Sequence, residues 1–251
     1  MQVKGIIFDV NGTLTDIHTN EEHDEIYRVL SNLLSYQGIM LDPYVVKDRY
    51  FQILKEQRAT QGGRHPEFDA IGIFQTIITQ YATDFTRSLP KQKLEQLPRL
   101  LAETFRAASR FRLQPYPGVV DTIRHLHQQY HLAIVSDGQT AYAVPELNAI
   151  GLAGYFDPII ISRDIGIRKP HEQLFTAALT AMKMKPSEVL FVGNDMYRDV
   201  YGAKRVGMTT VFCKSNQGLA EKEGVKPDYI VYQFPELLNA IRFFEDRSDR
   251  E

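Results

Sequence analysis

Six short apolar runs constrain the fold of this 251-residue chain more than any other feature: GIIFDV (Gly5 to Val10), HLAIVS (His131 to Ser136), PIII (Pro158 to Ile161), VLFVG (Val189 to Gly193), TTVF (Thr209 to Phe212) and DYIVY (Asp228 to Tyr232). Each is nearly continuous in β-branched and other apolar residues, the pattern of a strand buried on both faces. From His131 onward, stretches of helical character separate them, among them His171 to Met182 and Arg198 to Gly207. Strand and helix in alternation predict an α/β protein, a three-layer Rossmann-like parallel sheet covered on both sides.

The first two runs are far apart. Between them Asn20 to Gln37, Pro43 to Thr60, Glu67 to Tyr81 and Pro90 to Arg110 carry apolar residues at three and four spacing, rich in Leu, Glu, Lys, Gln and Ala. The expected layout is therefore a core of residues 1–16 and 112–251, with an all-helical insert over 17–111. The segment QPYPGVV, with Pro115, Pro117 and Gly118, predicts the return to the core and a helix from Val119 to Gln129.

Composition excludes several classes. Lys plus Arg number 29 against 31 Asp plus Glu, a net charge of −2, which gives no electrostatic case for nucleic acid or an anionic membrane. The single cysteine, Cys213, lies in the apolar stretch MTTVFC and suits a buried structural role in a reducing compartment. No segment has the length of a signal-peptide core or a membrane span, so a cytoplasmic protein is expected.

Ligands of open parallel sheets bind beyond the carboxyl ends of the strands. There the first run delivers Asp9, Asn11, Gly12 and Thr13, and the second Ser136, Asp137 and Gly138. The stretch after the third delivers Arg168, Lys169 and Pro170, and the fourth Asn194, Asp195 and Asp199. Singly these have ordinary readings, as a turn, a helix cap, a solvated lysine and acids at a helix start. On successive strand ends they suit phosphoryl chemistry. Asp9 attacks phosphorus to form an aspartyl phosphate, while Ser136 and the N–H groups after it hold phosphate oxygens. Lys169 adds positive charge, aimed by a Pro170 expected in the first turn of the next helix, and magnesium links Asp9, Asp195 and the phosphate.

These residues resemble the haloacid dehalogenase (HAD) superfamily of hydrolases along the whole chain. DVNGTLTD is similar to its first motif, VSDG to its second, IRKP to its third and VGNDMYRDVYGAKRVGM to its fourth. The resemblance implies Asp9 as nucleophile, Ser136, Asp137 and Lys169 at the substrate phosphate, and Mg2+ held by Asp9, Asn11, Asp195 and Asp199. It also implies a helical cap like that of the phosphatase and dehalogenase branch, a small phosphorylated metabolite as partner, and a monomer or homodimer.

Two positions depart from the pattern. Asn11 stands where the phosphatases usually carry an acid/base aspartate, and Asn194 stands where the fourth motif usually has an aspartate after glycine. An amide transfers no proton. The expected function is thus a magnesium-dependent phosphomonoesterase. The alternatives are a metal-independent 2-haloacid dehalogenase and a catalytically weak phosphate-binding or interaction protein. The histidines His125, His127 and His131 have poor spacing for a metal site on a helix. Gly62, Gly63, Arg64 and His65 form a loop that either selects substrate or simply connects two helices.

Overall fold

The computed structural model describes residues 1–62 and 65–248. Gly63 and Arg64 of the loop singled out above lie outside them.

In chain order the strands and α-helices are β1 (Gly5–Phe8), β2 (Thr15–Thr19), α1 (Asp24–Ser35), α2 (Pro43–Gln61), α3 (Ala70–Tyr81), α4 (Asp84–Ser88), α5 (Lys91–Ser109) and β3 (Arg110–Pro115). There follow α6 (Val119–Leu126), β4 (His131–Ser136), α7 (Thr140–Ala149), β5 (Ile159–Ile161), α8 (Ser162–Ile165), α9 (Glu172–Met182) and β6 (Val189–Gly193). A π-helical turn (Met196–Tyr201), α10 (Gly202–Arg205), β7 (Thr209–Cys213), β8 (Tyr229–Val231) and α11 (Leu237–Ser248) complete the chain.

The chain divides into two compact units, Met1–Ile17 with Leu113–Glu251, and His18–Arg112. The first is built on a six-stranded sheet in the order β5-β4-β1-β6-β7-β8, every pairing parallel. Strand alternation sends neighbouring residues to opposite faces. Ile6, Phe8, Leu132, Ile134, Leu190 and Val192 pack with Val119 and Ile123 of α6 and Leu237, Ile241 and Phe244 of α11. Ile7, Ala133, Val135 and Phe191 pack on the other side with Leu174, Phe175 and Ala178 of α9. Both faces are covered, which is why these strands read as continuous apolar runs.

The second unit carries α1 to α5 around a buried aromatic centre, in which Tyr50 and Phe105 stack at 4.4 Å between ring centroids, with Phe74 and Tyr27 at their edges. It departs from an all-helical segment at both ends. β2 runs on to Thr19 and β3 begins at Arg110, because the two pair with each other in a separate two-stranded sheet. The short α4 was not foreseen. It is five residues long, too short to show a period, and Thr83 starts it by a reciprocal capping bond with Thr86.

Two boundaries near the site differ from expectation. The helix after Lys169 begins at Glu172 with His171 as its N-cap, so Pro170 precedes the helix and is not in its first turn. The helical stretch expected from Arg198 starts two residues earlier as a π-helical turn, because the Asp195 carboxylate accepts the N–H groups of Tyr197 and Arg198. No α-helix among the described residues is long and apolar enough to cross a membrane.

Candidate active site

The parallel register brings the ends of β4, β1 and β6 side by side, and the sequence-predicted residues with them. Asp9 follows β1, whose neighbours are β4, ending in Ser136, and β6, ending in Gly193. The loop after Asp9 is narrow. Gly12 has φ +88°, and a side-chain carbon there would lie 2.1 Å from Asn194 Nδ2, so no other residue fits without displacement. Gly193 gives the same clearance to the Asp199 carboxylate, whose atoms come within 2.5 Å of where its Cβ would be.

At the centre lies a buried ion triad. Lys169 Nζ donates to Asp9 Oδ1 at 2.7 Å, to Asp199 Oδ1 at 2.6 Å and to the Val135 carbonyl at 3.1 Å. All three ammonium protons are thereby used. Burial opposes the lysine's charge, but Asp199, Asp9 and Asp137 outweigh it and hold Lys169 above its ordinary range. Asp199 Oδ2 accepts the N–H groups of Asn194 and Asp195 at 3.1 and 3.0 Å. Burial pushes the Asp199 carboxyl up from its ordinary value, against the pull of Lys169.

The remaining expected residues take unequal roles. Ser136 is buried at the end of β4. The Gly138 N–H, one of the backbone donors expected for phosphate, instead donates to Ser162 Oγ at 2.9 Å. Asp137 turns its Oδ1 to the Lys169 N–H at 2.9 Å and so fixes the lysine's backbone. The Asn11 side-chain oxygen accepts from Thr15 Oγ1 at 3.3 Å, and the Gly12 N–H donates to the Thr15 carbonyl at 2.8 Å, closing a turn. Thr13 Oγ1 lies 3.0 Å from Asp9 Oδ2 and 3.1 Å from Asn194 Oδ1, so one O–H is shared between them.

Asp195 is engaged by protein on both oxygens. Oδ1 accepts the N–H groups of Tyr197 and Arg198 at 3.0 and 2.7 Å, and Oδ2 accepts Arg198 Nε and the Leu219 N–H, each at 3.0 Å. Burial opposes its ionisation, yet these donors, the Arg198 N–H and guanidinium foremost, hold it below the ordinary carboxylate range. An acid depressed in the fold stabilises it above the unfolded pKa, and that contribution is lost as pH falls through the folded value. Asp195→Asn replaces one of the two accepting oxygens by an NH2 group, so that on that side donors face donors. It is expected to cost about 2 kcal/mol in urea unfolding at neutral pH, with the difference shrinking toward pH 3.

Most of the carboxylate oxygens expected at magnesium are therefore engaged by protein donors. Asp195 and Asp199 each accept three or more protein donors, Asp9 neutralises Lys169, and positions 11 and 194 offer amide oxygens. Among the described residues no group of three or more His, Cys, Asp and Glu is arranged to hold a metal ion. The histidines His125, His127 and His131 are likewise not gathered into one. Magnesium ordinarily takes one or two free carboxylates with phosphate and water. This donor set does not fit a dedicated divalent site.

Sequence reasoning overlooked Arg198 and the loop from Ser215 to Leu219. Arg198 could have been found from its spacing, three residues after Asp195 and one before Asp199. The loop carries no motif, yet Ser215 Oγ accepts from Asn194 Nδ2 at 3.3 Å, and Gln217 Nε2 donates to Asp16 Oδ1 at 3.2 Å and the Ile17 carbonyl at 3.1 Å.

A family model described as haloacid dehalogenase-like hydrolase matches residues 3–207, a span that holds Asp9, Ser136, Lys169, Asp195 and Asp199. The chain belongs to the haloacid dehalogenase-like hydrolases. It is 28% identical to a glyceraldehyde 3-phosphate phosphatase of Pyrococcus furiosus, an alignment covering 100% of this chain and 97% of that protein. It is 26% identical to the pyrophosphatase PpaX of Halalkalibacterium halodurans, covering 96% and 97%. Among solved structures, a 2-haloacid dehalogenase of Pseudomonas syringae superposes with a TM-score of 0.71 at 21% identity, covering 97% of this chain and 100% of that one. At that identity the likeness speaks for the fold. The chain is thus a HAD hydrolase, and the two relatives named above are phosphatases.

Proposed function

We propose that the chain is a phosphomonoester hydrolase that transfers the phosphoryl group of a small metabolite to Asp9. The observation that carries this reading is the Asp9–Lys169–Asp199 triad. It holds a carboxylate at the end of β1 beside a buried, permanently protonated ammonium, with the Ser136 hydroxyl on the adjoining strand end. Lys169 orients Asp9 Oδ1 and Thr13 orients Oδ2, so attack on phosphorus starts from a fixed carboxylate. Ser136 donates to a phosphoryl oxygen as charge grows there. The full-length likeness to phosphatases acting on small phosphorylated compounds supports the same substrate class. The helical unit His18–Arg112 is assigned the role of cap.

Asn11 sets the rate in this scheme. Without an acid at that position the first step favours substrates with good leaving groups, and water attack on the phosphorylated Asp9 lacks a base. Asn11→Asp is expected to raise phosphate release from alkyl phosphates by about a hundredfold. A panel of phosphorylated metabolites, assayed with and without magnesium by released phosphate, checks this.

A second reading, attack of Asp9 on carbon in a 2-haloacid, is favoured by the same two amides, because that chemistry needs neither an acid at position 11 nor a cation. Halide release from a 2-haloacid, unaffected by chelator and accompanied by no phosphate release from the panel, would replace the first reading.

A further inference from the structure

Arg198 is absent from the chemistry described so far, yet it occupies the mouth of the site. Its Nε donates to Asp195 Oδ2 at 3.0 Å, and its Nη1 lies 3.8 Å from Asp137 Oδ2. Asp195 follows β6 and Asp137 follows β4, and these strands flank β1 on its two sides. Adjacent strands are about 4.8 Å apart, so a guanidinium reaching from the end of β6 to the end of β4 crosses the end of β1, where Asp9 stands.

The surroundings are built for that position. Asp137 has a side chain only 4% exposed, and its Oδ2 is buried with no hydrogen-bond partner among the described residues, with the guanidinium groups of Arg168 at 3.7 Å and Arg198 at 3.8 Å beside it. Arg198 itself is 38% exposed, so solvent and solutes reach it. Of its five N–H donors only Nε is bonded to protein among the described residues. Against partial burial, the carboxylates of Asp195, Asp199, Asp9 and Asp137 hold it protonated above its ordinary range.

The charges of the cluster point the same way. Four carboxylates (Asp9, Asp137, Asp195 and Asp199) face Lys169, Arg198 and Arg168. Before a phosphate dianion can approach Asp9, some cation must offset their repulsion. Lys169 has no free proton, and the carboxylates that would recruit a divalent ion are engaged. A planar guanidinium with unused N–H groups is suited to bidentate contact with phosphoryl oxygens.

We propose that Arg198 is the substrate-binding cation of this site, taking the charge-neutralising place beside Asp9 so that phosphate binds without a divalent ion. This rests on the phosphomonoesterase reading above.

The test is calorimetric titration of inorganic phosphate into the full-length chain, in EDTA and in excess Mg2+, with Arg198→Met and Asn194→Asp alongside. The expected result is the same phosphate affinity in both media within about twofold for the unmodified chain, and a loss of about tenfold or more in Arg198→Met. Asn194→Asp, which supplies a free carboxylate, is expected to acquire a dependence on Mg2+. The paired titrations of the unmodified chain stand even where Arg198→Met unfolds. Phosphate binding that requires Mg2+, or that Arg198→Met leaves unchanged, overturns the proposal and leaves the phosphomonoesterase reading in place. Phosphate binding in neither medium overturns both.

Discussion

Asp9→Ala is expected to leave a folded protein with phosphate release reduced on the order of 10⁴-fold or more. The loss is that large because no second nucleophile stands in reserve. Asp199 is consumed by Lys169 and two backbone N–H groups, and Asp195 is engaged on both oxygens. Removing Asp9 also leaves Lys169 paired with Asp199, so the buried ammonium keeps one counter-charge and the fold persists. Initial rates on para-nitrophenyl phosphate, with circular dichroism to confirm folding, check the prediction. Residual activity within tenfold of the unmodified chain would place the nucleophile elsewhere.

Lys169→Met should fail differently, losing stability as well as activity. Its ammonium is the shared partner of two buried carboxylates, and deleting one partner of a buried pair typically costs about 3–5 kcal/mol because the other charge is stranded. Asp199 then takes up a proton more readily, since burial already pushes it upward and its main opposing cation is gone. A carboxyl raised in the fold binds more protons there than when unfolded, so stability falls as pH rises from about 4 toward neutral. The variant is therefore expected to be more stable at pH 5 than at pH 8 in urea titrations. Activity should fall about a thousandfold, as Asp9 loses the group that orients it.

Much of the core was legible because its strands are buried on both faces. Continuous apolar runs then mark each strand to within one or two residues, and the parallel order forces their carboxyl ends together. From that order Asp9, Ser136, Lys169 and Asp199 are expected close together, and hydrogen bonds join Asp9, Lys169 and Asp199. What could not be read was the hydrogen-bond state of each carboxylate. Asp195 and Asp199 look alike in the sequence, four residues apart in one motif with Asn194, yet one caps a π-helical turn and the other anchors a buried lysine. Whether an acid is free for a metal depends on which backbone N–H groups happen to face it, and that is set by loop conformation. The Ser215 to Leu219 loop escaped notice for the same reason, since its contacts are made by backbone and by short polar side chains without a period. Arg198 was hidden by position, counted as one polar residue of a helix whose start was placed at that same residue.

The two asparagines separate this chain from the family motifs that it resembles. Asn11 lies in a turn closed by Thr15, and Asn194 shares a hydroxyl with Asp9, so both are integrated into the loop geometry around the nucleophile. Their amides lower the negative charge beside Asp9 by two relative to aspartates. On the phosphomonoesterase reading proposed above, fixed cations would carry electrostatic work that a carboxylate-bound ion would otherwise do, and hydrolysis of the covalent intermediate is expected to be the slow step.

That last consequence makes the central claim directly measurable. Para-nitrophenyl phosphate has a good leaving group and needs no acid at position 11, so the chain is predicted to release a rapid burst of nitrophenolate equal to the enzyme present, followed by slow turnover. Acid quench during the burst, borohydride reduction and peptide mapping should find the phosphorylated residue at Asp9 and convert it to homoserine. A burst without modification of Asp9, or phosphate release with no covalent intermediate at any time, would contradict the account.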